Sequence, residues 1–264
     1  MKILYVAIMY DQGDPQRGYS FEHVNFYQTF KKLDGGKHEI IYFPLDQAMI
    51  KRGKKEVNLE LLRLAEEKRP QLMFMSMVWD EVDKEIIRKI TASGVVTLGW
   101  FSNDTWQFGN YSRYYGPSFS WVATNDPEAV ERYRKIGYPN AIYTACGANT
   151  NIFRPLSRNK KIDVSFVGSW NKEREKIIRA IQGAGIQIVV RGSGWDGDRV
   201  SPEELVRIIS QSKISLNLNE SSFYIGWRPL ARLFFKRDGF GRSWKKIRPD
   251  FWYFFGNLRS WWQK

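Results

Sequence analysis

Short apolar runs alternate along this chain with segments of helical periodicity, and that alternation constrains the fold more than any other feature. KILYVAIMY, HEIIYFP, QLMFMSMVW, GVVTLGWF and SFSWVAT have strand length and no polar alternation, as expected of strands covered on both faces of a parallel sheet. Between them, Leu59, Leu62 and Ala65 recur at helical spacing before Pro70, and Val82, Ile86, Ile87 and Ile90 before Gly94. This is βαβ grammar, and it predicts a doubly wound α/β domain over residues 1–147. A stretch rich in Gly, Asn, Pro and basic residues follows, read as a linker over 148–160. The grammar then restarts with KIDVSFVGS as a strand, a helix near 171–183, the strand IQIVVRG, a helix opened by Ser201-Pro202-Glu203-Glu204 and the strand KISLNLN. A capping hydroxyl, a proline at the first helical position and two first-turn carboxylates all favour that last helix start. Residues 161–222 therefore predict a second Rossmann-like domain, incomplete because a sheet of this type ordinarily has five or six strands.

Composition narrows the functional classes. The 264 residues are 43% hydrophobic and 26% charged, and no stretch reaches the ~18 uncharged apolar residues of a spanning helix. The N-terminus reads as a first strand rather than a secretory signal, so the expected location is cytoplasmic. The single cysteine, Cys146, excludes an internal disulfide framework and a cysteine-based zinc site. The net charge of +13 is uneven: residues 223–264 carry ten Lys/Arg against Asp238 and Asp250, which accounts for +8, together with 14 aromatic residues. Such a tail suits peripheral contact with the inner membrane face, stacking on single-stranded nucleic acid, or packing within the protein. The membrane reading is preferred, and nucleic acid is not the expected partner.

In open α/β sheets ligands bind beyond the carboxyl ends of the strands, so candidate residues lie in the loops that follow them. After the first strand, Asp11–Ser20 carries Gly13, Arg17 and Gly18; it either cradles an acceptor or is an ordinary βα loop. There is no G-x-G-x-x-G fingerprint. His23 is a general base or a structural histidine, and Asp104 a general base or a helix N-cap. In the second domain Gly168 and Ser169 precede a helix carrying Lys172 and Arg174, an arrangement suited to a diphosphate or to a plain strand-to-helix turn. Gly192, Ser193, Gly194 and Trp195 form either a nucleoside-packing loop or a flexible surface loop. No His/Asp/Glu cluster has metal-ligand spacing, and no G-x-S-x-G elbow occurs, which disfavours a serine hydrolase.

Taken in order, KILYVAIMYDQGDPQRGYSFEHVNFYQTF, WFSNDTWQF, VATNDPEAVERYRKIGYPN, ACGANTNIFRP, KIDVSFVGS and SKISLNLN resemble the spore-maturation CgeB-like glycosyltransferases, a family of GT-B fold. The resemblance extends to about Asn219. It implies an N-terminal acceptor domain, a C-terminal nucleotide-sugar domain, reaction in the cleft between them without a metal ion, and the nucleotide-sugar as substrate rather than cofactor. It further implies Gly168, Ser169 and Arg174 at the donor diphosphate, Gly192 to Trp195 near the nucleotide, Asp104 and Gly13 facing the cleft, and a glycan or lipid-linked acceptor. Family members continue past LNLN into further βα units that have no counterpart in this chain. The alternative is a non-catalytic, degenerate transferase acting as a membrane- or partner-binding scaffold.

Overall fold

The computed structural model describes residues 1–77, 80–157, 159–195 and 199–218, and the backbone of 235–238 and 246–249. Its contacts define one unit built on Met1–Gly147 and another spanning Ala148–Tyr224.

The first unit is a six-stranded parallel sheet. Its elements are β1 (Lys2–Ala7), β2 (Glu39–Pro44), helix α1 (Leu45–Lys68), β3 (Leu72–Ser76), α2 (Lys84–Ala92), β4 (Val96–Phe101), α3 (Asp104–Gln107), β5 (Trp121–Thr124), α4 (Pro127–Lys135) and β6 (Ala141–Tyr143), with strand order β2-β1-β3-β4-β5-β6. The two-residue period of a strand sends Leu4, Val6, Met73 and Met75 to one face and Tyr5, Ala7 and Phe74 to the other. Leu61 and Ala65 of α1, Ile87 and Ile90 of α2 and Ala129 and Tyr133 of α4 cover the first face. Phe26, Tyr27 and Phe30, from a π turn (His23–Tyr27) and the helical turn after it (Gln28–Phe30), cover the second. At ~1.5–3 kcal/mol per fully buried large apolar side chain, this two-sided burial is the main stabilising term.

Two details differ from the sequence expectation. Helix α1 buries Val57, Leu61 and Ala65, an i, i+4 row, and packs Leu62 partly buried against the same core, whereas Leu59 is exposed; the helix is broken upstream at Gly53, where φ is +77°. Strand β6, just ahead of the stretch read as a linker, was not among the runs read as strands because only three residues pair, from Val122↔Ala141 to Thr124↔Tyr143.

The second unit contains β7 (Ile162–Val167), α5 (Lys172–Gly183), β8 (Ile188–Arg191), α6 (Pro202–Gln211) and β9 (Ser212–Leu216), a three-stranded parallel sheet in the order β8-β7-β9. Ser201 caps α6 by accepting from the Glu204 N–H at 3.1 Å, and Asn171 caps α5 by accepting from the Arg174 N–H at 2.8 Å. Residues read as a linker are tied to this unit: the Leu156 N–H donates to Ser210 Oγ at 3.1 Å, and Lys160 Nζ to the Ser212 carbonyl at 2.7 Å. The chain is thus an α/β protein with two Rossmann-like parallel sheets, the second smaller. Strands β10 (Phe235–Asp238) and β11 (Lys246–Pro249) pair antiparallel; the rest of the aromatic-basic tail, on which the membrane expectation rests, lies outside the described residues.

Candidate functional site

Each sheet has one topological switch point, where successive crossovers leave in opposite directions: between β1 and β3 in the first unit, and between β7 and β9 in the second.

The loop after β1 is anchored rather than loose. Asp46, fully buried at the start of α1, accepts from the Met9 and Tyr10 N–H groups at 2.7 and 3.0 Å and from Gln47 Nε2 at 2.9 Å. Sequence reasoning missed Asp46; its one signal was a carboxylate just after the second strand. Gly13 and Gly18 take φ of +72° and +78°, and the Asp11 N–H donates to the Gly18 carbonyl at 3.0 Å, closing the loop. Arg17 is paired within it, 2.8 Å from Asp11. His23 enters through Ser20, whose Oγ accepts the His23 N–H at 3.0 Å and donates to the Ile8 carbonyl at 2.7 Å. The His23 ring stacks on Tyr19 with centroids 4.1 Å apart and packs against Tyr27 and Tyr42. Burial holds this imidazole below its ordinary range, with Asp46 opposing and Lys31 assisting, so it is a neutral proton acceptor at pH 7.

Asp104 does not cap a helix. Asn103 occupies the N-cap position, and Asp104 is the first helical residue, 0% exposed, accepting a hydrogen bond from Ser112 Oγ. Burial pushes its carboxyl up to about 6, against the pull of the Ser112, Thr124 and Tyr133 hydroxyls and of Arg132. Arg132 itself ion-pairs with Asp126, reaches the Asp104 carbonyl at 3.4 Å and lies over the Phe108 ring at 5.2 Å. This arrangement can store or release a proton near pH 6, but its acid has no exposed surface.

In the second unit the loops after β7 and β8 are joined backbone to backbone. The Gly168 N–H donates to the Arg191 carbonyl at 3.0 Å and the Trp170 N–H to the Ser193 carbonyl at 2.8 Å. A Cβ on Gly192 would lie 2.4 Å from the Gly168 carbonyl oxygen, so two glycines meet where side chains cannot fit. Trp195 turns its indole N–H onto that same oxygen at 2.9 Å and packs edge-on against Phe166. The loop Gly192–Trp195, for which sequence reasoning left flexibility open, is therefore tightly tied.

Arg174 spans the switch point. Its Nη1 donates to the Ser169 carbonyl beyond β7 at 2.7 Å and its Nε to the Leu218 carbonyl beyond β9 at 3.1 Å, with the guanidinium 5.5 Å from the centroid of the Phe166 ring. Gly168, Ser169, Arg174, Gly192 and Trp195 are thus brought together; Lys172 is exposed at the first position of α5. Glu173 and Glu175 add negative charge to the same turn. Among the described residues no group of three or more His, Cys, Asp or Glu could hold a metal ion, and no helix is long and apolar enough to cross a membrane.

The fold and these loops define a protein of the Rossmann-like α/β class with its polar and glycine-bearing loops at the switch points. No family profile matches the chain, and no curated protein matches it. Among solved structures it is similar to a candidate UDP-N-acetylglucosamine 2-epimerase from Listeria monocytogenes, 8% identical, over 83% of this chain and 69% of that one, with a TM-score of 0.44.

Proposed function

We propose that this chain is a nucleotide-sugar-dependent glycosyltransferase of GT-B type, its second unit holding the donor and its first the glycan or lipid-linked acceptor. The observation that carries this reading is Arg174: a cation anchored to two carbonyls across the β7/β9 switch point, beside a glycine-bearing loop and the first turn of α5. Guanidinium N–H groups not used in that anchoring, the exposed ammonium of Lys172 and the α5 N-terminus would stabilise the negative charge that collects on the leaving diphosphate. His23, neutral at pH 7, is the better placed of the two first-unit titratable groups to accept the acceptor's hydroxyl proton, since 8% of its surface is open against none for Asp104. Gly13, Arg17 and Gly18 shape the acceptor loop in this reading.

Arg174→Ala should weaken binding of the best nucleoside diphosphate by about ten- to a hundredfold, the magnitude of a lost charge-assisted hydrogen bond. Titration calorimetry against UDP-, GDP-, TDP- and CDP-sugars reads this, and a wild-type chain that binds none of them would refute the donor assignment.

One observation favours a non-catalytic binder instead: both first-unit titratable candidates are buried. Nucleotide-sugar binding without turnover of any acceptor would select that reading. Peripheral membrane contact through 223–264 belongs to either; full-length chain should co-sediment with phosphatidylserine-containing vesicles at 0.1 M salt and dissociate at 0.5 M. Equal binding to neutral phosphatidylcholine vesicles would remove the electrostatic basis for it.

A further inference from the structure

We infer that Trp170, rather than Trp195, is the stacking face for the planar base of a nucleotide at the second unit; the inference rests on the donor reading above and assigns its base subsite. The two tryptophans flank the same loop pair and differ in what their rings do. Trp195 commits its indole N–H to the Gly168 carbonyl and its ring to Phe166, so it is spent on holding the loops. Trp170 leaves 46% of its surface exposed.

That exposed ring is nevertheless held at several points. Its backbone N–H is bonded to the Ser193 carbonyl at 2.8 Å, and its Cβ lies where a Cβ on Gly194 would come within 2.9 Å. Its indole N–H donates to Glu175 Oε2 at 3.0 Å, and Glu175 is itself paired with Arg179 at 2.6 Å. Hydrogen bonds from Arg179 and Trp170 keep the Glu175 carboxyl below its ordinary range, so it remains an ionised acceptor for the indole. A singly exposed tryptophan is ordinary on a protein surface, but one fixed at both backbone and ring has already lost the rotamer freedom that binding would otherwise remove. Trp170 follows Ser169, whose carbonyl Arg174 holds, and its indole N–H is bonded to Glu175, the residue after Arg174, so the tryptophan is tied at backbone and ring to the immediate neighbours of the cation assigned to the diphosphate. A flat π surface beside a cation is the pairing that a base joined to phosphates requires.

The test is calorimetric titration of full-length wild-type, Trp170→Ala and Trp170→Phe chains with UDP, GDP, TDP and CDP and, separately, with inorganic pyrophosphate. Trp170→Ala should lose about tenfold or more in affinity for the nucleoside diphosphate that binds best, the usual effect of removing one stacking partner. Trp170→Phe should stay within about threefold of wild type, and pyrophosphate should bind all three chains alike. Unchanged nucleotide affinity in Trp170→Ala, with wild-type binding intact, overturns this inference and leaves the donor reading standing. Equal losses for nucleotide and pyrophosphate assign Trp170 to loop structure and overturn it too. A wild-type chain that binds none of the four nucleotides removes the donor reading, and this inference with it.

Discussion

Gly192→Ala should destabilise the second unit by about 3 kcal/mol or more, while Gly168→Ala, one loop away, should cost less. At Gly192 the backbone φ is +125°, outside the comfortable range of a residue with a Cβ, and the new methyl would sit 2.4 Å from the Gly168 carbonyl oxygen and 2.8 Å from its carbon. Both opposing atoms are backbone, so relief requires parting the two loops. The Gly168–Arg191 and Trp170–Ser193 hydrogen bonds and the Trp195 contact to the Gly168 oxygen would be strained together. At Gly168 the obstacle is instead the Phe166 ring, at 2.8 Å, and a side chain can rotate or slide by tenths of an ångström. Urea denaturation of the two variants beside wild type checks the order; a Gly192→Ala midpoint equal to that of Gly168→Ala would mean that the loops are not packed against each other as described. On the donor assignment proposed above, the same variant should also lose nucleotide affinity, because Arg174 is anchored to the carbonyl of Ser169 in the displaced loop.

Asp104→Asn should stabilise the protein at neutral pH. The Asp104 carboxyl titrates at about 6 in the folded chain against an ordinary 3.8. Between those values the folded state keeps a proton that the unfolded state has released, so stability falls as pH rises from about 3.8 to about 6 and levels off above. The group's favourable contribution is complete below the unfolded value and lost above the folded one, a change on the order of 3 kcal/mol. Asparagine is neutral throughout and nearly the same shape. It should therefore remove this slope and leave the variant about 1–3 kcal/mol more stable than wild type at pH 7.5, once weaker hydrogen bonding with Ser112 is allowed for. At pH 4 the two proteins should converge. Unfolding midpoints in urea at pH 4, 5, 6 and 7.5 measure this, and a variant less stable than wild type at pH 7.5 would show that the buried carboxylate is held charged by Arg132 and its hydroxyl partners.

Much of the fold was legible because its signals are local. Five apolar runs became β1 to β5 because a continuous apolar run of strand length needs no long-range information to be recognised, and the Ser201 cap could be read from a hydroxyl followed by proline and two carboxylates. Strand β6 escaped because three residues between polar neighbours carry too little pattern. In α1 the buried row runs through Val57, Leu61 and Ala65 with Leu59 left exposed, because i, i+3 and i, i+4 spacings are both helical and the apolar pattern alone did not choose between them. For the candidate site, sequence pointed to the loops that follow the strands but not to what each residue does within them. Arg174 and Ser169 are neighbours by five positions, yet nothing local indicates that the guanidinium also reaches Leu218, 44 residues along.

The residues alone determined the alternation of strands and helices, the parallel character of the sheets, the two-sided cover of the first of them, and which loops follow strand ends, since each depends on hydrophobic period and capping chemistry within about a dozen positions. Tertiary structure decided the rest. It buried Asp104 at the start of α3, enclosed His23 among tyrosines, turned Trp195 inward and left Trp170 on the surface. Those outcomes depend on desolvation and on contacts between segments distant in sequence, and both exist only after the chain has closed on itself.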